Sequence, residues 1–178
     1  MENSTEKKES KKNRILILLL LLIALLATCV AVWALFFREP EVILAPDYVP
    51  QETEKYAETL PEEEKMDAPA GGGAVSLSYS KDVQIDLKEK KAALFFANPS
   101  KSHQDAMIQI VVQGEVLAQS GVLPPGHRVT TLDLISGAEA MLMPGGYQGT
   151  FLVLYYHSET GEKAVVNTEI PIQITVKS

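Results

Sequence analysis

Hydrophobic positions follow two unlike patterns along this chain. Over 15–37 they form one run without a charge, whereas from residue 74 onward they recur at every second position between turns. The stretch Ile15-Leu16-Ile17-Leu18-Leu19-Leu20-Leu21-Leu22-Ile23 is apolar all round, so it does not read as an amphipathic helix with one wet face. As a helix rising about 1.5 Å per residue, 15–37 measures roughly 35 Å, enough to cross a hydrocarbon core of about 30 Å. Trp33, Phe36 and Phe37 stand toward its far end, where aromatic rings favour the interface, and Arg38 closes it.

The second pattern predicts strands. Val75, Leu77 and Tyr79 alternate with serines, and Val83, Ile85 and Leu87 alternate with polar residues. The continuous apolar run 92–97 is expected to be a strand buried on both faces. Ile108, Ile110 and Val112 form another alternating strand, Gly114 interrupts it, and Val116-Leu117-Ala118 resumes. Val129, Leu132 and Leu134 mark the next strand, a helical turn follows over 138–143, and 147–156 is the strongest strand pattern. Ser158-Glu159-Thr160-Gly161 is a hairpin turn. In the last strand Ile170, Ile172, Ile174 and Val176 share one face, and Pro171, which has no N–H to give, places that strand at a sheet edge, at least locally. Strands of this number, separated by turns at this spacing, predict an all-β sandwich of about seven strands over 74–178.

Between the two patterns, 38–73 carries Pro40, Pro46, Pro50, Pro61 and Pro69, many glutamates, and a closing Gly71-Gly72-Gly73. Such a composition buries too little to fold alone and is expected as a disordered stalk, about 30–35 Å across as a flexible coil. The spacing of Pro50 and Pro61 leaves room for one short helix over 52–59, and Val42-Ile43-Leu44 is more apolar than a linker needs, a patch for the membrane surface or for a partner.

Charge sharpens this division. The chain's formal net charge is −7, but Lys7, Lys8, Lys11, Lys12 and Arg14 precede the apolar run while ten acidic residues against Lys55 and Lys65 follow it over 39–70. That bias predicts a basic cytoplasmic tail (1–14), a transmembrane helix (15–37) and the remainder outside the cell. A cleaved signal peptide has a shorter apolar region of about 7–15 residues. Leu26-Ala27-Thr28-Cys29 also forms a loose lipobox, the basis of an alternative lipoprotein-like anchor. The threonine before the cysteine and the apolar residues after it weigh against that reading. Residues 71–178 hold eight cations and ten acids, with no basic stripe for nucleic acid. Cys29 is the only cysteine, so the β domain has neither disulfide nor thiolate metal site.

Two stretches carry a resemblance. Leu123-Pro124-Pro125-Gly126-His127-Arg128-Val129-Thr130-Thr131-Leu132-Asp133-Leu134, followed by Leu142-Met143-Pro144-Gly145-Gly146-Tyr147, resembles bacterial immunoglobulin-like and fibronectin-III-like surface modules. The resemblance implies an immunoglobulin-like sandwich in which Gly126, Pro144 and Gly145 shape turns. It also implies that Tyr147 acts as a tyrosine corner, its hydroxyl bonding backbone a few residues upstream. The whole chain is similar in architecture to short single-pass surface proteins of Gram-positive bacteria, a likeness that brings no activity with it.

No catalytic set is visible. His103, His127 and His157 lack metal-ligand spacing, and Gly145-Gly146 is not followed by the helix a phosphate cradle needs. No metal and no cofactor are expected, and no enzyme. The expected function is a membrane-anchored, surface-exposed interaction module, an accessory of an envelope assembly or a small adhesin with an unidentified protein partner; a structural spacer or sensor is the alternative. The candidate interaction surface comprises the loop residues Ser100, Lys101, His103 and Asp105 and the edge-strand residues Ile170 and Ile172.

Overall fold

The structure is a computed structural model in which residues 17–30, 44–50, 52–68 and 73–178 are described. The chain divides into two units, Met1–Val42 and Ile43–Ser178. In the first, residues 17–30 are helical, with every side chain exposed. Among the described residues no helix is long and apolar enough to cross a membrane. The expected tail 1–14 and residues 15, 16 and 31–37 of the expected span lie outside the described residues, as do Val42 and Ile43.

The described residues of the second unit form nine strands. They are β1 (Glu58–Thr59), β2 (Ser78–Tyr79), β3 (Asp82–Asp86), β4 (Lys91–Asn98), β5 (Gln104–Val112), β6 (Glu115–Gln119), β7 (His127–Asp133), β8 (Gly145–His157) and β9 (Lys163–Lys177). A 3₁₀ turn, Ala138–Met141, stands where the helical turn was expected. The strand order is β1-β7-β4-β3-β9-β8-β5-β6, with β2 also on β4. β3 pairs antiparallel with β4 and parallel with β9, so the chain folds over at that seam into two facing layers. The Ala118↔Leu134 bridge joins β6 to the end of β7 at the other seam. This is an all-β, immunoglobulin-like sandwich.

Alternation explains the core. Val83 and Ile85 of β3 and Ile170, Ile172, Ile174 and Val176 of β9 point inward at every second position and are buried. Val129 and Leu132 of β7 are buried too, three residues apart, with a register irregularity in the β4–β7 pairing between them. Phe96 and Phe151 meet across the sandwich edge-to-face, centroids 6.1 Å apart at 76°. Neither shows any exposed surface.

The expected stalk is where sequence and structure part. Residues 44–50 and 52–68 are not a free tether but a strap bound to the sandwich. Its first part crosses the outer face of the second layer, where Ala45 and Val49 pack on Met107, Leu154 and Tyr156. The Tyr156 hydroxyl donates to the Pro46 carbonyl at 3.0 Å. Thr53 then bridges Val122, and β1 pairs with the edge of β7 through Glu58↔Arg128 and Thr59↔His127. No helix forms over 52–59. The sandwich supplies backbone partners and a wet-or-dry contrast that a free Pro/Glu segment lacks. The strap also explains the long apolar runs. β5 and β8 bury successive residues because one face meets the core and the other meets the strap.

Two glycines make this possible. Gly121 runs so close to the strap that a Cβ there would lie 2.8 Å from the Cα and N of Glu54. Gly126 has φ +84°, and its carbonyl accepts from the Leu60 N–H at 2.7 Å.

Candidate functional site

The loop between β4 and β5 is not a free recognition surface. The Ser100 hydroxyl donates to the Pro61 carbonyl at 3.1 Å and accepts from the Glu63 N–H at 2.6 Å. Lys101 pairs with Glu63 at 3.8 Å. His103 Nε2 lies 2.6 Å from the Met66 carbonyl, and Lys65 Nζ donates to the Ser102 carbonyl at 2.6 Å. The strap therefore occupies the groups that Ser100, Lys101 and His103 were expected to offer a partner.

Asp105 is half-buried beneath the 158–161 turn. The Ser158 hydroxyl lies 3.0 Å from both Asp105 Oδ1 and the His103 carbonyl, so its one proton serves two acceptors. Burial pushes the Asp105 carboxyl above the usual range, against the opposing pull of the Ser158 hydrogen bond and the charges of His127 and Lys65. Asp133 shows the reverse. Burial opposes its ionisation, but hydrogen bonds from Lys55 and Tyr56 and the charges of Lys55 and Lys91 outweigh it, and its carboxyl titrates low.

These shifts give opposite pH responses. A carboxyl raised by folding opposes the folded state above its folded pKa and ceases to do so below its unfolded value of about 4. A depressed carboxyl stabilises above about 4 and loses that contribution as pH falls through its folded pKa. Asp105→Asn is thus expected to stabilise the domain at neutral pH, and Asp133→Asn to destabilise it. Both differences should vanish in strong acid. Denaturant melts across that range check the pair, and like-signed effects at neutral pH would contradict the assignment.

Ile170 and Ile172 are core residues, only 5% and 1% exposed, and cannot themselves meet a partner. The strand that carries them is an edge over only half its length. Over Gln173–Val176 it lies between β3 and β8. Before Gln173 no β3 residue lies alongside, because β3 begins at Asp82.

What remains open is the backbone edge of the first half of β9. The Lys163 N–H donates to the Asp47 carbonyl of the strap at 2.9 Å, and the Gln173 N–H donates to the Lys81 carbonyl at 2.8 Å. Both bonds leave β9 on the side away from β8. Hydrogen-bonding direction alternates along a strand, so Asn167, Glu169 and Pro171 point their backbone groups the same way as Gln173, and a register irregularity interrupts the alternation between Lys163 and Asn167. Among the described residues none of these groups has a backbone partner. From Asn167 to Pro171 the opening spans roughly 13 Å at about 3.3 Å per residue. The strap bounds it at one end and β3 at the other. Pro171 removes one donor at its far end.

The β7 edge is treated differently. β1 covers it at residues 127 and 128, Arg128 pairs with Glu58 at 2.8 Å, and the Tyr56 hydroxyl donates to Asp133 at 3.0 Å. The signal for the β9 edge was Pro171. Its true extent was hidden because only pairing shows where β3 begins.

At the other end of the sandwich the Tyr147 hydroxyl donates to the Met143 carbonyl and accepts from the Met143 N–H, both at 3.0 Å. Pro144 and Gly145 form the intervening turn into β8. Cys29 is exposed within the helical stretch of the first unit. Among the described residues no three His, Cys, Asp or Glu side chains are grouped to hold a metal.

No protein family and no curated protein matches the chain. Among solved structures it is similar to the periplasmic chaperone SfaE, with TM-score 0.36 and 15% identity over 58% of this chain and 56% of that one. It is similar to AggA, the major subunit of aggregative adherence fimbriae type I from Escherichia coli, with TM-score 0.30 and 9% identity over 65% and 100%. It is also similar to the CsuC–CsuE chaperone–tip adhesion subunit pre-assembly complex of archaic chaperone-usher Csu pili from Acinetobacter baumannii, with TM-score 0.32 and 15% identity over 59% and 57%. The chain thus spans a little over half of the first and third. At these scores the likeness assigns no role to any residue, and the sandwich rests on its own pairing registers.

Proposed function

We propose that this chain is a membrane-anchored recognition module of the cell envelope, which holds its β-sandwich outside the cell and takes an extended segment of a protein partner onto the open edge of β9. The unpaired outward backbone of Asn167 and Glu169 carries this reading. An exposed edge of that length is a template for strand addition, in which main-chain hydrogen bonds give affinity and alternate side chains give selectivity. The bounded ends fix the register in which a segment fits.

Three observations support the anchor. The helical residues Ile17 to Ile23 are apolar and exposed all round, so in the described unit no protein face covers them. The charge-free run continues in sequence to residue 37, and cations dominate only its N-terminal flank. With this orientation the sandwich lies on the outer side of the membrane.

A photo-crosslinking residue placed at Asn167 in the full-length, membrane-inserted chain tests the function. A discrete crosslinked envelope protein is expected from Asn167 and not from Gln84, an exposed position on β3. Equal yields from the two positions would remove the edge from the interaction.

A further inference from the structure

The bound strap shortens the tether. Its first fixed backbone group is the Ala45 N–H, which donates to Gln119 Oε1 at 3.3 Å. Only residues 38–44 then lie between the expected span and the sandwich. Seven residues reach about 25 Å fully extended and about 15 Å as a flexible coil. Headgroups already occupy roughly 5–7 Å beyond the hydrocarbon on each side. If 15–37 span a bilayer, chain length alone confines the end of the sandwich where the chain arrives to within that reach of the membrane surface.

That end is unusually apolar for a water-facing surface. Leu44 is 47% exposed and Tyr48 63%, while Val165 and Val166 at the start of β9 are 102% and 69% exposed. Strap contacts reach the start of β9 at Glu162 and Lys163, and Val165 and Val166 follow two and three residues after Lys163. Tyr48 bridges Glu162, Lys163 Nζ lies 3.5 Å from the Ala45 carbonyl, and the Lys163 N–H meets the Asp47 carbonyl. Single exposed apolar side chains are ordinary on a protein surface. Four gathered where a short tether enters are not scattered in that sense.

Resting on the anchor reading above, we infer that Leu44, Tyr48, Val165 and Val166 form a lipid-contacting surface that seats this end of the sandwich in the bilayer interface. The tether holds the bilayer at high effective concentration, so a small apolar surface is sufficient. Asp47 and Glu162 flank the patch alongside Lys163, so contact depends on apolar burial and not on anionic lipid. Tyrosine suits the headgroup level, with an apolar ring and a polar tip. Seated this way, β9 presents its open edge close to the membrane.

The test uses the full-length chain in phosphatidylcholine nanodiscs, with Cys29→Ala and a nitroxide at Val165→Cys, Val166→Cys or Met143→Cys. Met143 is 75% exposed and precedes the opposite end of β8, roughly 40 Å away at about 3.3 Å per residue. Relaxation by oxygen, which concentrates in lipid, is expected to exceed relaxation by an aqueous nickel chelate several-fold at 165 and 166, with the reverse at 143. Labels at 165 and 166 as aqueous as that at 143 would overturn the inference while leaving the anchor intact, as would lipid exposure at all three sites. Extraction of the chain from bilayers by alkaline carbonate would overturn the anchor, and the inference with it.

Discussion

Phe151→Ala is expected to destabilise the β domain by about 3–5 kcal/mol, the usual cost of truncating a fully buried phenylalanine. Phe151 has no exposed surface and sits in the middle of β8, paired with Ile110 on one side and Ile170 on the other. Its ring meets Phe96 from the facing layer edge-to-face, so removing it leaves a void between the layers and takes away an aromatic contact as well. No disulfide compensates, since the only cysteine is Cys29. Domains of this size are stable by only about 5–15 kcal/mol, so the variant should melt roughly 10–20 °C lower. Phe151→Leu keeps most of the volume and should fall between the two. A melting temperature unchanged in the alanine variant would mean that the two layers do not pack as described.

Glu54→Ala is expected to release the strap. The Glu54 carboxylate is almost fully buried and accepts from the Tyr56 N–H at 3.0 Å and the Gly121 N–H at 2.6 Å. Hydrogen bonds to a charged group contribute about 1.5–3 kcal/mol each, and a buried N–H left without a partner adds its own cost. A loss of about 2–4 kcal/mol from the strap's attachment follows. Gly121→Ala approaches the same contact from the other side, because its Cβ would collide with the Glu54 backbone. Both variants should speed tryptic cleavage at Lys55 and Lys65 and hydrogen exchange at the Leu60 and Met66 amides. The β8 amides should be much less affected. Release would uncover Met107, Leu154 and Tyr156, so binding of a hydrophobic dye should rise as well. Cleavage and exchange at parental rates in both variants would show that Glu54 does not hold the strap.

The two substitutions probe different kinds of stability. Phe151 holds the layers to each other, whereas Glu54 holds a local segment that can open by itself. The distinction bears on function, because the strap masks the 100–103 loop, covers the outer face of β5 and β8, and sets one boundary of the open β9 edge. A released strap would return those groups to solvent and lengthen the tether.

The β domain was legible in the sequence because period-two burial is local information. Each alternating apolar residue of β9 or β3 needs only a dry face and a wet face to declare a strand. The bonds between the Tyr147 hydroxyl and the Met143 backbone are short-range in the same sense, joining residues only four apart. The apolar run over 15–37, too, is a property of the sequence alone.

The strap, the masking of the loop and the true extent of the open edge were decided only by tertiary structure. The composition of 38–73 described what that segment does in isolation, where prolines and carboxylates favour water. It did not reveal that Gly121 offers a backbone N–H at the depth Glu54 needs, or that Met107, Leu154 and Tyr156 leave an outer face to be covered. Ser100, Lys101 and His103 read as available because their partners, Pro61, Glu63 and Met66, lie 37 to 39 residues away. Pro171 identified an edge but not its limits. Those limits are set by where β3 begins and where the strap meets Lys163, and contacts so distant in sequence leave no local pattern.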